Sequence, residues 1–321
     1  MKFNTIILAA GMGKRLKTNT CKVIVQLINK PLIIHLLDNL KDSISPENTF
    51  IVIGHEGEAV KKVVSSSYPE AKYAWQKEQL GTGHAVLQTK PLLTNLEIPT
   101  LILAGDVPLI NSELIRNFQE FHLNKKADIS VLTTKLVNPH GYGRIIRDKQ
   151  HNSLLKIVEE KDASLDEKDI TEINSGIYFV NSAILFSLLA KVTPNNKQNE
   201  YYLTDIIKIA VKENMNIQPY LFDNAELLRG INSREDLATM ADYIYKSTLQ
   251  RHMQNGVTII SPQTTFIEPE AIIESDVIIE PFVHIKGHSH IKEQTIVKSF
   301  SYLNNYSSKV KEVVSSHFKN N

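Results

Sequence analysis

A short, basic and glycine-rich segment near the N-terminus has the residue types of a phosphate-binding loop. Residues 8–15 read LAAGMGKR, and Leu8 is also the last residue of the mostly apolar run 5–8. Glycines leave backbone N–H groups free to surround an anion, and the side chains of Lys14 and Arg15 can neutralise its charge. The segment predicts a nucleotide-phosphate site, with an ordinary strand-to-helix turn as the alternative.

Two common phosphate loops are excluded by spacing. A Walker loop needs Ser or Thr where Arg15 stands and a glycine where Leu8 stands, and the dinucleotide fingerprint needs a glycine at Leu16. The remaining pattern is LAAGxGxR with Lys22 seven residues after Arg15. This pattern resembles the signature of the sugar nucleotidyltransferases, also called pyrophosphorylases.

Composition sets the class of protein. The chain has 321 residues, enough for about two domains. Its 36 basic and 35 acidic side chains nearly balance, which predicts neither nucleic acid nor a membrane as a partner. The first apolar run is too short for a signal peptide, and the single cysteine, Cys21, excludes an intrachain disulfide. We expect a cytoplasmic protein.

Residues 5–229 alternate β-branched runs with segments of helical periodicity, which predicts an α/β domain with a mostly parallel sheet. We predict strands at 5–10, 50–54, 100–104, 129–134, 154–158, 173–180 and 217–222. Helices are expected at 31–40, 112–123, 182–189 and 203–212. Ligands of such sheets lie at the carboxyl ends of the strands, so the loop at Gly11 and the turn at Asp106 should meet.

The pattern changes after Gly256. Aliphatic residues then recur with a period of six, at Ile267, Ile273, Ile279, Ile285, Ile291, Val297 and Leu303. This period predicts a hexapeptide-repeat parallel β-helix, with a few antiparallel strands as the alternative. We expect about two coils, preceded by one long helix from about 232 to 250.

The last residues carry Val310, Val313, Val314 and Phe318 at helical spacing, which predicts a helix covering the open end of the β-helix. The predicted organisation is a sugar nucleotidyltransferase domain at 1–230, a linker helix at 231–252, a short β-helix at 253–304 and a capping helix or tail at 305–321.

Further segments resemble one family, the N-acetylglucosamine-1-phosphate uridylyltransferase domain of the bifunctional GlmU-type enzymes. They are QKEQLGTGHA at 76–85, GDVPL at 105–109, GYGRI at 141–145, VEEKDA at 158–163, EINSGI at 172–177, NEYYLTD at 199–205 and GINSR at 230–234. The resemblance covers residues 3–303 in order. It implies a Rossmann-like nucleotide-diphospho-sugar transferase domain followed by a short left-handed parallel β-helix.

The resemblance also implies which residues bind substrate. Uridine would be held by Gln76, Gly81 and Thr82 with the backbone of Leu8, Ala9, Ala10 and Gly11, and Gly13 of the same loop would also bind substrate. From chemistry alone, the amide of Gln76 and free backbone donors can read the edge of a pyrimidine, and a capping glutamine beside a flexible turn is the alternative. Gly143, Glu159 and Asn174 would hold the amino sugar, although Glu159 by itself resembles a solvated charge run.

The metal and the reacting phosphates complete the implied site. Mg²⁺ would be held by Asp106, a carboxylate at the end of an apolar strand, and by Asn232, which also contacts substrate. The alternative for Asp106 is a cap on the helix near Asn111. Arg15 would bind the leaving pyrophosphate and Lys22 the phosphates at the reacting centre.

The implied reaction joins UTP and N-acetylglucosamine 1-phosphate into UDP-N-acetylglucosamine, a cell wall and lipopolysaccharide precursor, and releases pyrophosphate. The chain departs from the family pattern at three positions: Lys14 stands where Thr is common, Cys21 where Pro is usual and Ala104 where a Tyr-like residue is usual. With only about two coils of β-helix, acetyltransferase activity is not expected. Relatives form homotrimers, so an oligomer is possible. Alternatives are another sugar 1-phosphate or nucleotide, such as glucose 1-phosphate or thymidine, and a non-catalytic sugar-nucleotide-binding paralogue.

Overall fold

The structure, a computed structural model, describes residues 2–11, 13, 16–18, 20–148, 150–315 and 319–320. The chain divides into two compact units. The first contains Met1–Val25 and Pro31–Asn232, and the second contains Gln26–Lys30 and Ser233–Asn321. Across the described ranges, no helix combines the length and apolar character that a membrane span requires.

The first unit is built on one central sheet. The strands before residue 233 are β1 (Asn4–Leu8), β2 (Gln26–Leu27), β3 (Lys30–Pro31), β4 (Thr49–Ile53), β5 (Lys72–Trp75), β6 (Pro99–Ala104), β7 (Ile129–Lys135), β8 (Arg144–Arg147), β9 (Leu154–Val158), β10 (Glu172–Asn181) and β11 (Ile217–Leu221). Of these, β2 and Lys30 of β3 belong to the second unit, and β2 and β3 pair as a separate two-stranded sheet. The central sheet has the order β11-β7-β10-β6-β1-β4-β5, and the hairpin β8-β9 joins it beside β10.

The predicted mostly parallel sheet is observed. Strand β1 pairs in parallel with β4 and β6, as do β4 with β5 and β7 with β11. Within the described residues of this sheet, antiparallel pairing is confined to β10, which pairs with β6, β7 and β8, and to the hairpin β8-β9. The sheet is therefore mixed, with its parallel part centred on β1.

Helices cover both faces of this sheet. They are α1 (Leu32–Leu40), α2 (Gly57–Ser65), α3 (Thr82–Leu87), α4 (Ser112–Asn124), α5 (Leu165–Lys168), α6 (Ser182–Leu189) and α7 (Asp205–Lys212). Successive residues of β1 point to opposite faces, so Ile6 belongs to one buried cluster and Ile7 to the other. Helices α1, α2 and α4 pack in the cluster with Ile7, whereas α3, α6 and α7 pack in the cluster with Ile6.

The second unit begins with helix α8 (Arg234–Gln254), where the sequence predicts one long helix. Ser233 caps it, since its hydroxyl accepts from the Asp236 N–H at 3.0 Å and the Asp236 carboxylate accepts from the Ser233 N–H at 2.8 Å. This is a reciprocal capping box.

Short parallel strands follow α8. They are β12 (Thr258–Ile259), β13 (Phe266–Ile267), β14 (Ile272–Ile273), β15 (Ile278–Ile279), β16 (His284–Lys286), β17 (His290–Ile291), β18 (Ile296–Val297), β19 (Tyr302–Asn304), β20 (Val313–Val314) and β21 (Lys319–Asn320). They form three sheets, β12-β15-β18-β20, β13-β16-β19-β21 and β14-β17. The aliphatic residues at the period of six lie in one buried cluster. This is the predicted hexapeptide-repeat β-helix, and the antiparallel alternative is wrong.

The predicted C-terminal helix is wrong for the described part of the tail. Strand β20 continues the β-helix by pairing with β18, with Val314 opposite Val297, and β21 pairs with β19. Val314 is buried, whereas Val313 and Val310 are exposed. Val297 and Val314 are 17 residues apart, while Ile279 and Val297 are 18 apart, so a shortened coil breaks the period of six and hides the repeat. Phe318 lies outside the described residues. The β-helix therefore extends beyond the two expected coils.

Candidate active site

A cavity of about 300 Å³ opens at the carboxyl ends of β1 and β6. The two strands are neighbours in parallel register, with Leu8 opposite Ala104, so the loops that follow them converge as the sequence predicts. The residues lining the cavity are Leu8, Ala10, Gly11, Lys22, Val23, Gln76, Gln79, Gly81, Thr82, Ala85, Ala104, Asp106 and Glu200. Eight of them are predicted site residues, and they come from segments widely separated in the chain.

Lys22 and Asp106 of the cavity wall meet each other and the amide of Asn232. The Lys22 ammonium forms an ion pair with the carboxylate of Asp106 and donates to Asn232 Oδ1 at 2.7 Å. Asn232 is brought there by its neighbour, because the Ile231 N–H donates to the backbone carbonyl of Asp106 at 3.0 Å. The three predicted residues thus form one polar cluster, although Lys22 and Asn232 are 210 positions apart.

The alternative role of Asp106 as a helix cap is wrong. Helix α4 is capped by Asn111, whose side-chain oxygen accepts from the Leu114 N–H at 2.9 Å. The Asp106 carboxylate instead lines the cavity and pairs with Lys22. A carboxylate on the wall of a cavity, balanced by a cation, is available to a ligand.

The two glycines of the first loop have different reasons to be glycine. Gly13 has a φ of +61°, and a Cβ there would lie 2.7 Å from the Cβ of Lys22. A side chain at Gly13 would therefore displace Lys22. Among the described residues other than its chain neighbours, a Cβ on Gly11 would meet no atom within 4 Å. Nothing in that part of the chain requires glycine at position 11, and the approach of a ligand to the backbone gives a reason for it.

Ala9 lies behind the cavity wall. Its side chain is buried, and its N–H donates to the Val52 carbonyl at 2.8 Å. The backbone donor of Ala9 is therefore already used by the sheet. Arg15, Lys14 and Met12 lie outside the described residues.

The predicted base-binding segment is held in one conformation. The Gln76 amide nitrogen lies 3.0 Å from the Gly81 carbonyl oxygen and 3.1 Å from His84 Nδ1. With these two acceptors beside the amide hydrogens, the amide oxygen of Gln76 remains for a ligand. Gly81 has a φ of +107° and a ψ of 175°, a conformation almost restricted to glycine.

A second segment clamps the glycine turn at residues 81–83. The Gly83 N–H donates to the Tyr201 carbonyl at 2.7 Å, and the Leu203 N–H donates to the hydroxyl of Thr82 at 3.0 Å. A Cβ on Gly81 would approach the Tyr201 carbonyl oxygen to 2.7 Å. The NEYYLTD segment, to which the sequence gives no role, thus fixes the turn and also places Glu200 on the cavity wall.

The three residues predicted for the sugar also come together. The Asn174 N–H donates to the Gly143 carbonyl at 2.9 Å, and a Cβ on Gly143 would lie 3.6 Å from both Asn174 Cβ and Glu159 Oε2. Glu159 accepts from the Thr204 hydroxyl at 3.0 Å. Burial raises the pKa of Glu159, and the nearby carboxylates Asp205 and Asp162 add to that effect. The glutamate is therefore not a solvated surface charge.

Several residues of the cavity wall were not predicted, namely Val23, Gln79, Ala85, Ala104 and Glu200. All but Val23 lie within the quoted motifs or at a noted departure from the family pattern, so proximity to those motifs was the available signal. His84, to which the sequence analysis gives no role, also lies at hydrogen-bond distance from the amide of Gln76. Within the described ranges, no group of three or more His, Cys, Asp or Glu side chains could hold a metal ion.

A parallel-centred α/β sheet with a glycine loop and a lysine–carboxylate pair at the ends of two adjacent strands defines a nucleotide-binding transferase. The chain belongs to the nucleotidyl transferase family, whose model matches residues 4–248. Structural similarity agrees in fold: a crystal structure of UDP-glucose pyrophosphorylase complexed with UDP-glucose matches 77% of this chain and 100% of its own, with a TM-score of 0.57 and 19% identity.

Relatives of higher identity carry the name bifunctional protein GlmU. That of Streptococcus gordonii is 41% identical over 82% of this chain and 56% of its own length. That of Clostridioides difficile is 43% identical over 85% of this chain and 58% of its own. The chain thus spans somewhat more than half the length of the curated relatives it matches.

Proposed function

We propose that this chain transfers a uridylyl group from UTP to N-acetylglucosamine 1-phosphate, forming UDP-N-acetylglucosamine and pyrophosphate. The observation that carries the proposal is the cluster of Lys22, Asp106 and Asn232, in which Lys22 and Asp106 line the cavity and Lys22 donates to Asn232. The identity of 41% and 43% to proteins named GlmU supports the choice of substrates. The proposal concerns uridylyl transfer alone, since the matched relatives are longer.

The arrangement of Gln76 favours a uracil base. Its amide oxygen is left for a ligand, and an oxygen acceptor pairs with the N3–H of uracil. Cytosine has no hydrogen at N3, so the same oxygen would face another acceptor, and a buried unpaired acceptor is costly. Thymine shares the N3–H, so discrimination against thymidine must come from the room around its methyl group.

Lys22 supplies the charge at the reacting centre. A phosphate oxygen of the sugar phosphate forms a bond to the α-phosphorus of UTP, and the bond from that phosphorus to the bridging oxygen breaks as pyrophosphate leaves. The attacking oxygen is already anionic, so no general base is needed. Transfers of this kind depend on alignment and charge neutralisation. Lys22 moves its ammonium from Asp106 and Asn232 toward the phosphates, and Arg15 holds the leaving pyrophosphate.

Asp106 and Asn232 fit a magnesium site. Both present an oxygen to the same Lys22 ammonium, so a cation is already accommodated between them. One carboxylate and one neutral oxygen suit Mg²⁺, which uses few protein ligands and completes its shell with water and substrate phosphates. When bound, Mg²⁺ supplies further neutralisation of the phosphate charge.

Gly143, Glu159 and Asn174 hold the amino sugar in this proposal. Glu159 offers acceptor oxygens to sugar hydroxyls, and Gly143 leaves space beside them because it has no side chain. Predictions of a cytoplasmic location and of a homo-oligomer stand beside this proposal. The oligomeric state can be measured by light scattering on the purified chain.

Pyrophosphate release tests the proposal. The purified chain is given UTP, CTP, dTTP or GTP with N-acetylglucosamine 1-phosphate or glucose 1-phosphate, with and without Mg²⁺. We expect release with UTP and N-acetylglucosamine 1-phosphate at least tenfold faster than with any other pair, and none without the metal. Lys22→Met is the matched variant, since it keeps most of the length of the side chain and removes its charge, and we expect it to lose the reaction.

Other outcomes would replace the proposal. A faster reaction with glucose 1-phosphate or dTTP would identify another nucleotidyltransferase. Absence of turnover with every pair, together with tight binding of UDP-N-acetylglucosamine, would indicate a sugar-nucleotide-binding paralogue.

A further inference from the structure

Cys21, the residue before Lys22, is tied to the protein on two sides. Its N–H donates to the Glu56 carboxylate at 2.5 Å. Its thiol lies 3.6 Å from the Ala9 carbonyl oxygen and 3.7 Å from that of Gly11. The side chain is fully buried, and burial raises the pKa of the Cys21 thiol. The sulfur therefore keeps its proton and can donate to the carbonyls of the phosphate loop.

The contacts of the Cys21 N–H and thiol are made at the first residue of the turn that carries Lys22. Cys21 is the N-terminal cap of the 3₁₀ turn Lys22–Ile24, and its carbonyl accepts from the Ile24 N–H at 3.1 Å. Fixing the cap residue at both its N–H and its thiol fixes the direction in which the turn begins. The Lys22 side chain then extends from a fixed base to Asp106.

In the described part of the chain, the contact with Cys21 is the one hydrogen bond that the Glu56 side chain makes. It is exposed and precedes helix α2 with a φ of 55°, and its own side chain makes no capping hydrogen bond to that helix. An exposed glutamate gains little by itself, but an ionised acceptor makes a stronger hydrogen bond to an N–H than a neutral one. The charge of Glu56 therefore strengthens a contact made at the first residue of the turn.

We propose that Glu56 is a positioning residue for Lys22, acting through the backbone N–H of Cys21. Glu56 contacts no reacting atom in this arrangement. It limits the motion of the Cys21 cap, so that the Lys22 side chain extends toward the phosphates from a backbone of fixed position. The effect on turnover rests on the proposed uridylyl transfer, whereas the effect on the order of the segment does not.

The single cysteine of the chain gives a readout that needs no catalysis. Because Cys21 is buried and no other cysteine is present, its rate of reaction with a thiol reagent reports opening of this segment. We expect Glu56→Ala to raise that rate at least fivefold, with an unfolding temperature within 2 °C of wild type. Glu56→Gln retains an acceptor and should raise the rate less.

Glu58→Ala is the matched control. Glu58 is an exposed acid in the first turn of α2. Its removal, like that of Glu56, takes away one negative charge that interacts favourably with the N-terminus of the helix. We expect wild-type labelling and turnover for Glu58→Ala. Equal labelling of Glu56→Ala and Glu58→Ala would overturn the proposal, whatever the activity of the protein.

A double-mutant cycle with Cys21→Pro tests the link to turnover. Proline has no N–H, and Cys21 has the φ of −54° that proline prefers. In the wild-type background we expect Glu56→Ala to lower kcat about fivefold with less than a twofold change in KM for UTP. In the Cys21→Pro background the same change should alter kcat less than twofold, because the bond is already absent.

Equal losses of kcat in both backgrounds would show that Glu56 acts by another route and would refute the proposal. If Cys21→Pro does not fold, the labelling rates of Glu56→Ala, Glu56→Gln and Glu58→Ala still decide. If the wild-type chain shows no uridylyl transfer, the proposed function fails, while a selective rise in labelling for Glu56→Ala would still support the contact.

Discussion

Replacement of Gly11 by alanine should weaken the binding of nucleotide without lowering the stability of the fold. A Cβ at this position meets no atom within 4 Å among the residues that the structure describes, its chain neighbours aside, and Gly11 does not have a left-handed φ. Substituting alanine for glycine at a compatible site stabilises proteins by roughly 0.4–1 kcal/mol, because the unfolded chain loses freedom. We therefore expect Gly11→Ala to unfold at the wild-type temperature or slightly above it.

The same substitution should weaken nucleotide binding. Gly11 lines the cavity, so a methyl group there keeps a phosphate from reaching the backbone. Loss of one hydrogen bond between an N–H and a charged oxygen costs about 1.5–3 kcal/mol. Since each 1.4 kcal/mol is a factor of ten, the dissociation constant for UTP should rise roughly ten- to hundredfold.

Calorimetric titration with UTP and a thermal melt of the same sample measure both effects. Gly13→Ala is the companion variant, because its Cβ would lie 2.7 Å from Lys22 Cβ at a φ of +61°, and it should lose both stability and binding. Unchanged affinity for UTP in Gly11→Ala would refute the reasoning, since phosphates would then not approach this part of the loop.

Three further changes test other parts of the structure. Asp106→Asn should lower turnover at least a hundredfold at limiting Mg²⁺ in the pyrophosphate assay without unfolding the chain, and wild-type rates there would contradict the metal assignment. Because burial raises the pKa of Glu159, the folded state holds its proton longer than the unfolded chain. The wild-type protein therefore loses stability as the pH rises from near 4.5 through the raised pKa of Glu159. Glu159→Gln does not titrate, so its melting temperature relative to that of the wild type should be higher at pH 8 than at pH 4.5. A difference in melting temperature that does not change with pH would refute this. Val314→Asp should destabilise the β-helix in a urea titration, while Val313→Asp, at an exposed position, should change little.

Local patterns in the sequence were sufficient for the main elements of the sheet. The β-branched run before the glycine loop predicts a strand from Thr5, and β1 is Asn4–Leu8. Helix α2 was not predicted, although Val60 and Val64 lie four residues apart and are both buried. That helix begins at Gly57 after a left-handed Glu56 without a side-chain cap, so the usual signal for a helix start is missing.

The candidate site was predictable in its members but not in its contacts. Motif resemblance indicates Gln76 and Gly81, but nothing local indicates that Tyr201 clamps the turn at residues 81–83, because the clamp uses backbone atoms far along the chain. The error at the tail has a similar cause. Val313 and Val314 suit a helix or a strand equally well, and only pairing with β18 makes them a strand.

Because the glycine turn is held by residues 201–203, the binding site can form only after most of the chain has been synthesised. The turn at residues 81–83 depends on the Leu203 N–H, 121 residues beyond Thr82. When only the first 150 residues have left the ribosome, the glycine loop and Gln76 are present. The backbone of Tyr201 and Leu203, which holds the turn, is not yet present. Contacts over such separations form slowly, since a long loop must close first. We expect N-terminal fragments ending before Tyr201 to fail to retain UTP, so that an incomplete chain does not sequester nucleotide in the cell.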